Sequence, residues 1–227
     1  MNMWNELAEY LNNKNVLEIG CGIGQKTKNI INYANKVTAI DISENNIKIA
    51  KEQFLDNKNI QFLVKDASKL DFSNKKFDVV ITTDSFHEID PKIQEHVLNE
   101  MIRVTDTIIF IEPDEVSVTN ELFKIFDPLE NHSLRIKNSI NKVFETMRKN
   151  HYILNKHNDY NDVTKFKTTD EMYDTLLDWW SDIKIPTNTN EKKQMIDEIK
   201  KTLKEFDMLD KMEIFEKIHY YVFLKEV

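Results

Sequence analysis

The sequence predicts an α/β fold: a doubly wound, mostly parallel sheet with helices on both faces, and a helical insertion after the fifth strand. Three observations predict it. Residues 14–113 alternate short apolar runs with amphipathic stretches. The apolar runs are rich in β-branched residues, as strands buried on both faces are. The chain has three glycines, Gly20, Gly22 and Gly24, and all crowd into the turn after the first run.

Met3 to Leu11 reads as a short amphipathic helix. Val16 to Ile19 is the first strand, and Gln25 to Ala34 returns to helical spacing. Lys36 to Ile42 is the second strand, and Ser43 is placed to cap a helix through Phe54. Asn59 to Val64 is the third strand and Phe77 to Thr82 the fourth. Asp90-Pro91 predicts a cap and first helical position, with a helix running to about Val104. Thr107 to Glu112 is the fifth strand, stopped by Pro113. Strands separated by helices pair in parallel through right-handed crossovers, and ligands of such sheets bind at the carboxyl ends of the strands.

The pattern changes after Pro113. Residues 114–208 read as helical, with breaks at Asn155–Lys167 and Ile185–Asn190. Thr168 to Glu171 fits a capping box. Met212 to Val227 is β-like and is expected to return to the sheet edge as one or two strands. The expected division is a core over 1–113, a helical insertion over 114–208 and completing strands over 209–227.

Composition limits the partners. With 227 residues, 41% hydrophobic and 31% charged, the chain is long enough for a sizeable core. Its net charge of -8 repels phosphate backbones, so no nucleic-acid partner is expected. The single cysteine, Cys21, forms no internal disulfide, which fits a cytoplasmic protein. The first residues lack a basic, apolar leader, and no stretch reaches the ~20 apolar residues that span a bilayer. A monomer or homodimer is expected.

At the ~7% average, a chain of this length would carry about sixteen glycines. One would suffice for a turn, so the Gly-x-Gly-x-Gly series predicts a ligand lying against bare backbone. A dinucleotide fingerprint would need its third glycine at Gln25, one residue later, and the Lys-Ser/Thr of a nucleotide-phosphate loop is missing. Asp41 ends the second strand, 21 residues past Gly20, where a carboxylate can accept both hydroxyls of a ribose.

The segment Val16-Leu17-Glu18-Ile19-Gly20-Cys21-Gly22-Ile23-Gly24 resembles motif I of the class I S-adenosylmethionine-dependent methyltransferases, in their small-molecule branch. The resemblance implies a Rossmann-like fold and S-adenosylmethionine as cofactor, with S-adenosylhomocysteine as product. It implies that Glu18 lies near the amino group of the methionine moiety, beside the backbone of Gly20, Cys21, Gly22 and Gly24. Asp41 would take the ribose, Ile42 would lie beside the adenine, and Asp66-Ala67 would meet the adenine amino group. Phe77 to Thr83 matches the family's fourth strand, bringing Thr83 and Asp84 near the cofactor. One departure stands out: Arg103 to Thr107 replaces the family's Lys/Arg-Pro-Gly-Gly turn.

The acceptor is expected to approach Asp84-Ser85-Phe86-His87-Glu88. His87 is the candidate general base; otherwise it packs beneath the cofactor or caps the next helix. Glu88 and Asp84 are alternatives. Glu112 either touches the acceptor or only ends its strand. The aromatics Phe123, Phe126, Phe144, Tyr152, Tyr160, Phe166, Tyr173, Trp179 and Trp180 either line an acceptor pocket or form the insertion's own core. His132, His151 and His157 are spaced too loosely for a metal motif, so no metal is expected. Three functions follow: methylation of a small molecule, methylation of a protein or tRNA, or non-catalytic binding of S-adenosylmethionine.

Overall fold

The computed structural model describes residues 2–179 and 188–226. In chain order it contains α1 (Met3–Leu11), β1 (Asn15–Ile19), α2 (Thr27–Ile30), β2 (Lys36–Asp41), α3 (Glu44–Gln53), β3 (Ile60–Val64) and β4 (Val79–Thr83). It continues through α4 (Gln94–Val104), β5 (Thr107–Pro113), α5 (Val118–Phe126), α6 (His132–Lys149), β6 (Tyr152–Lys165), α7 (Thr169–Trp179), α8 (Thr189–Glu205) and β7 (Glu213–Lys225). The sheet order is β3-β2-β1-β4-β5-β7-β6.

The first five strands are parallel, as the alternation requires. β1 lies between β2 and β4, with Val16 facing Val37 on one side and Val79 on the other. Every residue of β4 is buried, which explains its continuous run of valine, isoleucine and threonine. β7 runs antiparallel to β5. The Lys225 amide meets the Asp106 carbonyl at one end, and the Asp114 amide meets the Lys217 carbonyl at the other.

Helix termini follow local chemistry. The Ser43 hydroxyl accepts from the Asn46 amide at 3.3 Å and starts α3 as expected. Thr168 accepts from the Glu171 amide at 3.1 Å, and the Glu171 carboxylate reaches back to the Lys167 amide. The cap at Asp90 works differently from the expectation: α4 begins only at Gln94. Asp90 instead accepts from the Lys92 amide at 2.9 Å and closes a turn that feeds the helix.

The chain divides into two compact units, Met1–Glu112 with Asn138–Tyr160 and His219–Val227, and Pro113–Lys137 with Asn161–Ile218. In the first, Leu17, Ile40, Val80 and Phe110 of the sheet pack with Val97, Leu98, Met101 and Val104 of α4. Each such burial contributes roughly 1.5–3 kcal/mol. In the second, Leu122 and Phe126 of α5 pack with Met172, Tyr173 and Leu176 of α7 and Ile199 and Leu203 of α8. Phe126, Phe166 and Tyr173 are therefore core residues of this unit.

Two expectations are corrected. The break expected at Asn155–Lys167 in the helical stretch 114–208 is a strand, since residues 152–165 form β6. That run is polar, Asn155-Lys156-His157-Asn158-Asp159, and lacks the apolar alternation that marks a half-buried strand. As the outermost strand it is mostly exposed, so its pairing left no hydrophobic signature. The returning β7 is not the edge, since it lies between β5 and β6. Trp180 and residues 185–187 of the expected break lie outside the described residues. Asn188 caps α8, accepting from the Asn190 and Glu191 amides. Among the described residues, no helix is long and apolar enough to cross a membrane.

Candidate functional site

Strand order reverses between β1 and β4, which opens a crevice at their carboxyl ends. The glycine loop leaves β1 there. The Gly20 and Cys21 amides both donate to the Ile40 carbonyl, at 2.8 and 3.0 Å, tying the loop to β2. Gly20 has φ +72°, and a Cβ there would meet the Ser85 Cβ at 2.5 Å. Glycine is required because the loop after β4 presses against it. Gly22 has φ +52° and nothing within 4 Å of the same position, so its backbone faces open space. Gly24 packs against the Phe54 ring.

Glu18 points into the protein and is 1% exposed. Its Oε2 accepts from the Thr27 hydroxyl at 2.6 Å, which fixes the start of α2. Burial pushes its pKa up to about 8, with the nearby Asp41 charge adding to the rise and the Thr27 hydrogen bond opposing it. The Cys21 thiol is also buried and pushed up by burial, so it stays protonated at neutral pH.

Asp41 ends β2. Its Oδ2 accepts from the Gly22 amide at 2.8 Å and its Oδ1 from the Ser43 amide at 2.9 Å. Ile42 follows with 74% of its surface exposed. Asp66, beyond β3, accepts from the Ser68 amide at 2.8 Å, and bonding to Ser68 holds its carboxyl below the usual range. Ala67 packs against the first unit's core.

After β4, Ser85 donates its hydroxyl to the Ile19 carbonyl at 3.0 Å. The Phe86 amide donates to Oε1 of Glu112 at 3.0 Å. His87 is 3% exposed, with Nδ1 against Oε2 of Glu112 and Nε2 3.1 Å from Glu88. Burial alone would lower its pKa; the Glu112 carboxylate, helped by Glu88, overturns this and pushes it up to about 10. His87 is thus an imidazolium at neutral pH. Thr83 Oγ1 is buried with no hydrogen-bond partner among the described residues.

Glu18, the glycine loop, Asp41 and the loop after β4 therefore form one connected constellation, and Asp66-Ala67 lies just past β3, the strand beside β2. Sequence reasoning missed Lys26 and Thr27, and named Ser85 only within the segment where the acceptor is expected. Thr27 carried a weak signal, a hydroxyl residue at the start of a helix.

A sequence profile described as a methyltransferase domain matches residues 16–107. The chain is 35% identical to the norajmaline N-methyltransferase of Rauvolfia serpentina over 96 residues, covering 40% of this chain and 32% of that one. It is 25% identical to a ribosomal RNA small subunit methyltransferase A of Streptococcus thermophilus over 116 residues, covering 48% of this chain and 40% of that one. The chain thus spans well under half the length of these curated relatives. Its fold matches the crystal structure of the YcgJ protein from Bacillus subtilis with a TM-score of 0.62 at 16% identity, covering 98% of this chain and 96% of that one. Residues 16–107, less than half of the chain, are therefore similar to a methyltransferase domain.

Proposed function

We propose that this protein transfers a methyl group from S-adenosylmethionine to a small-molecule acceptor. The observation that carries the reading is the Gly22 backbone, open on the side where a Cβ would stand and flanked by the Asp41 carboxylate. Side chains of these kinds suit the cofactor. Asp41 retains acceptor capacity for ribose hydroxyls beside its two amide bonds, since a carboxylate offers about four lone-pair sites. Ile42 offers an exposed apolar surface to a purine face. Asp66-Ala67 faces the adenine edge, Glu18 and the loop from Gly20 to Gly24 hold the methionine end, and Thr83 offers a hydroxyl beside it.

Bound S-adenosylmethionine supplies an already activated methyl group for in-line displacement. The protein's work is then alignment and exclusion of water. His87 departs from the general-base expectation in this reading. An imidazolium with both ring nitrogens facing carboxylates has no lone pair with which to take a proton. We assign it instead to holding Glu112, whose other oxygen receives the Phe86 amide and so fixes the loop that meets the acceptor.

The net charge of -8 and the norajmaline-methylating relative favour a small acceptor. The ribosomal RNA methyltransferase among the relatives supports a second reading, a macromolecular acceptor. Titration calorimetry with S-adenosylmethionine and S-adenosylhomocysteine tests the cofactor; a folded sample that binds neither overturns it. Methyl transfer from labelled donor into a small-metabolite extract, against ribosomal RNA, separates the two acceptors.

A further inference from the structure

β6 and β7 are neighbouring strands, and the Glu226 amide donates to the His151 carbonyl at 2.8 Å near one end of the pair. The pairing brings His157 of β6 beside His219 and Tyr221 of β7, all three within the first compact unit. Nε2 of His157 lies 3.2 Å from Nδ1 of His219. His157 is exposed and His219 half-buried, so water reaches the pair. The two histidines stand 62 residues apart in the chain. Spacing along the sequence, which predicted no metal from His132, His151 and His157, therefore carried no sign of this meeting.

The rings beside the pair hold it in place. His157 lies parallel on Tyr221, with centroids 4.6 Å apart and planes 5° from each other. Phe144 of α6 meets Tyr221 edge-on at 5.4 Å and Phe223 at 5.3 Å. The stack that positions His157 thus reaches back to a helix. A neutral imidazole offers one nitrogen lone pair and is the commonest protein ligand of transition metals.

Two neutral imidazoles at this separation share either one proton or one cation. With zinc–imidazole bonds of ~2.05 Å, nitrogens 3.2 Å apart subtend about 100° at the ion, close to the tetrahedral angle. Each ring must turn in its own plane to aim its lone pair at the ion. Parallel stacking on Tyr221 permits that turn for His157, because a ring rotates in its plane without leaving the face it lies on.

We propose that His157 and His219 form a two-histidine site for a divalent transition-metal ion of the zinc class, with water completing the coordination. Imidazole nitrogen favours zinc, nickel and copper over magnesium and calcium, which take oxygen ligands. The bound ion clips β6, the outermost strand, to β7. β4 and β5 lie between β1, which carries the glycine loop, and β7, so the site stands apart from the cofactor reading.

The test is titration calorimetry of zinc chloride into the full chain after treatment with a chelator. Zinc should bind in a step that His157→Gln and His219→Gln each weaken at least about tenfold, because one imidazole is then left to hold the ion. His96→Gln removes an exposed imidazole of α4 and should leave that step unchanged. Copper should bind more tightly than zinc, and magnesium should not compete. Zinc should raise the thermal midpoint of the wild type and not that of either glutamine variant. Circular dichroism checks that the variants fold. A wild type without such a step overturns the proposal, as does a step that survives in either glutamine variant; the pair then shares a proton and nothing more.

Discussion

The Gly22 amide donates to Oδ2 of Asp41 at 2.8 Å, so the glycine loop after β1 is held by the side chain that ends β2. The same carboxylate receives the Ser43 amide at 2.9 Å and anchors the start of α3. Asp41 is thus a brace before any ligand arrives. Asp41→Ala should lose both roles: S-adenosylhomocysteine affinity falls at least about tenfold, and stability falls by about 1–3 kcal/mol for the hydrogen bonds lost. Calorimetry and urea denaturation on the same variant check this. Full affinity with lowered stability would leave Asp41 a brace only.

Much of this site was legible because it is local. Glu18, the glycines and Asp41 lie at strand ends whose apolar runs mark them, and each run is explained by burial on both faces. What was illegible depends on distant partners. A histidine in a loop after a strand reads as a titrating base near neutral pH. Burial against Glu112, which arrives on β5, turns it into a held cation. Asp84 was expected near the cofactor, but Lys26 carries no signal until the parallel pairing of β1 and β4 brings the two together. β6 was missed for the opposite reason: an exposed edge strand needs no apolar pattern.

Gly20 and Gly22 should respond differently to alanine. At Gly20 the new Cβ would sit 2.5 Å from the Ser85 Cβ, so both loops must shift. Overpacking of this kind costs about 1–3 kcal/mol, beyond the backbone strain. At Gly22 the Cβ meets nothing within 4 Å, leaving only the left-handed backbone cost of roughly 1–2 kcal/mol. Gly22→Ala should therefore fold better than Gly20→Ala yet bind S-adenosylhomocysteine poorly, because the methyl occupies the open side. Denaturation midpoints and calorimetry of the two variants check the contrast; unaltered affinity in Gly22→Ala would mean that no ligand lies there.

Binding should release protons through Glu18. With a pKa raised to about 8, its carboxyl is mostly protonated at pH 7. A ligand ammonium nearby favours the ionised form, so binding expels up to about one proton, and affinity rises as pH climbs through about 8. Heats of S-adenosylhomocysteine binding measured in phosphate and in Tris should differ by the buffers' ionisation enthalpies. Glu18→Gln should abolish that difference. Wild-type heats independent of buffer would show that Glu18 does not change its protonation on binding.

The His87–Glu112 pair makes stability depend on alkaline pH. The folded pKa of His87, about 10, stands above its unfolded value, so the folded state holds a proton that the unfolded chain loses. The stabilisation is complete below the unfolded value of about 6.5 and is lost as pH rises through about 10. Removing one member of a buried pair strands the other charge and costs about 3–5 kcal/mol, which Glu112→Ala should show at pH 6. His87→Gln still offers Glu112 an amide donor but no charge. The stability gap between wild type and His87→Gln should therefore be widest near pH 6 and narrow steadily toward pH 10 in urea denaturation. A gap that stays constant across that range would mean His87 is neutral in the folded protein, and would restore it as a candidate proton acceptor.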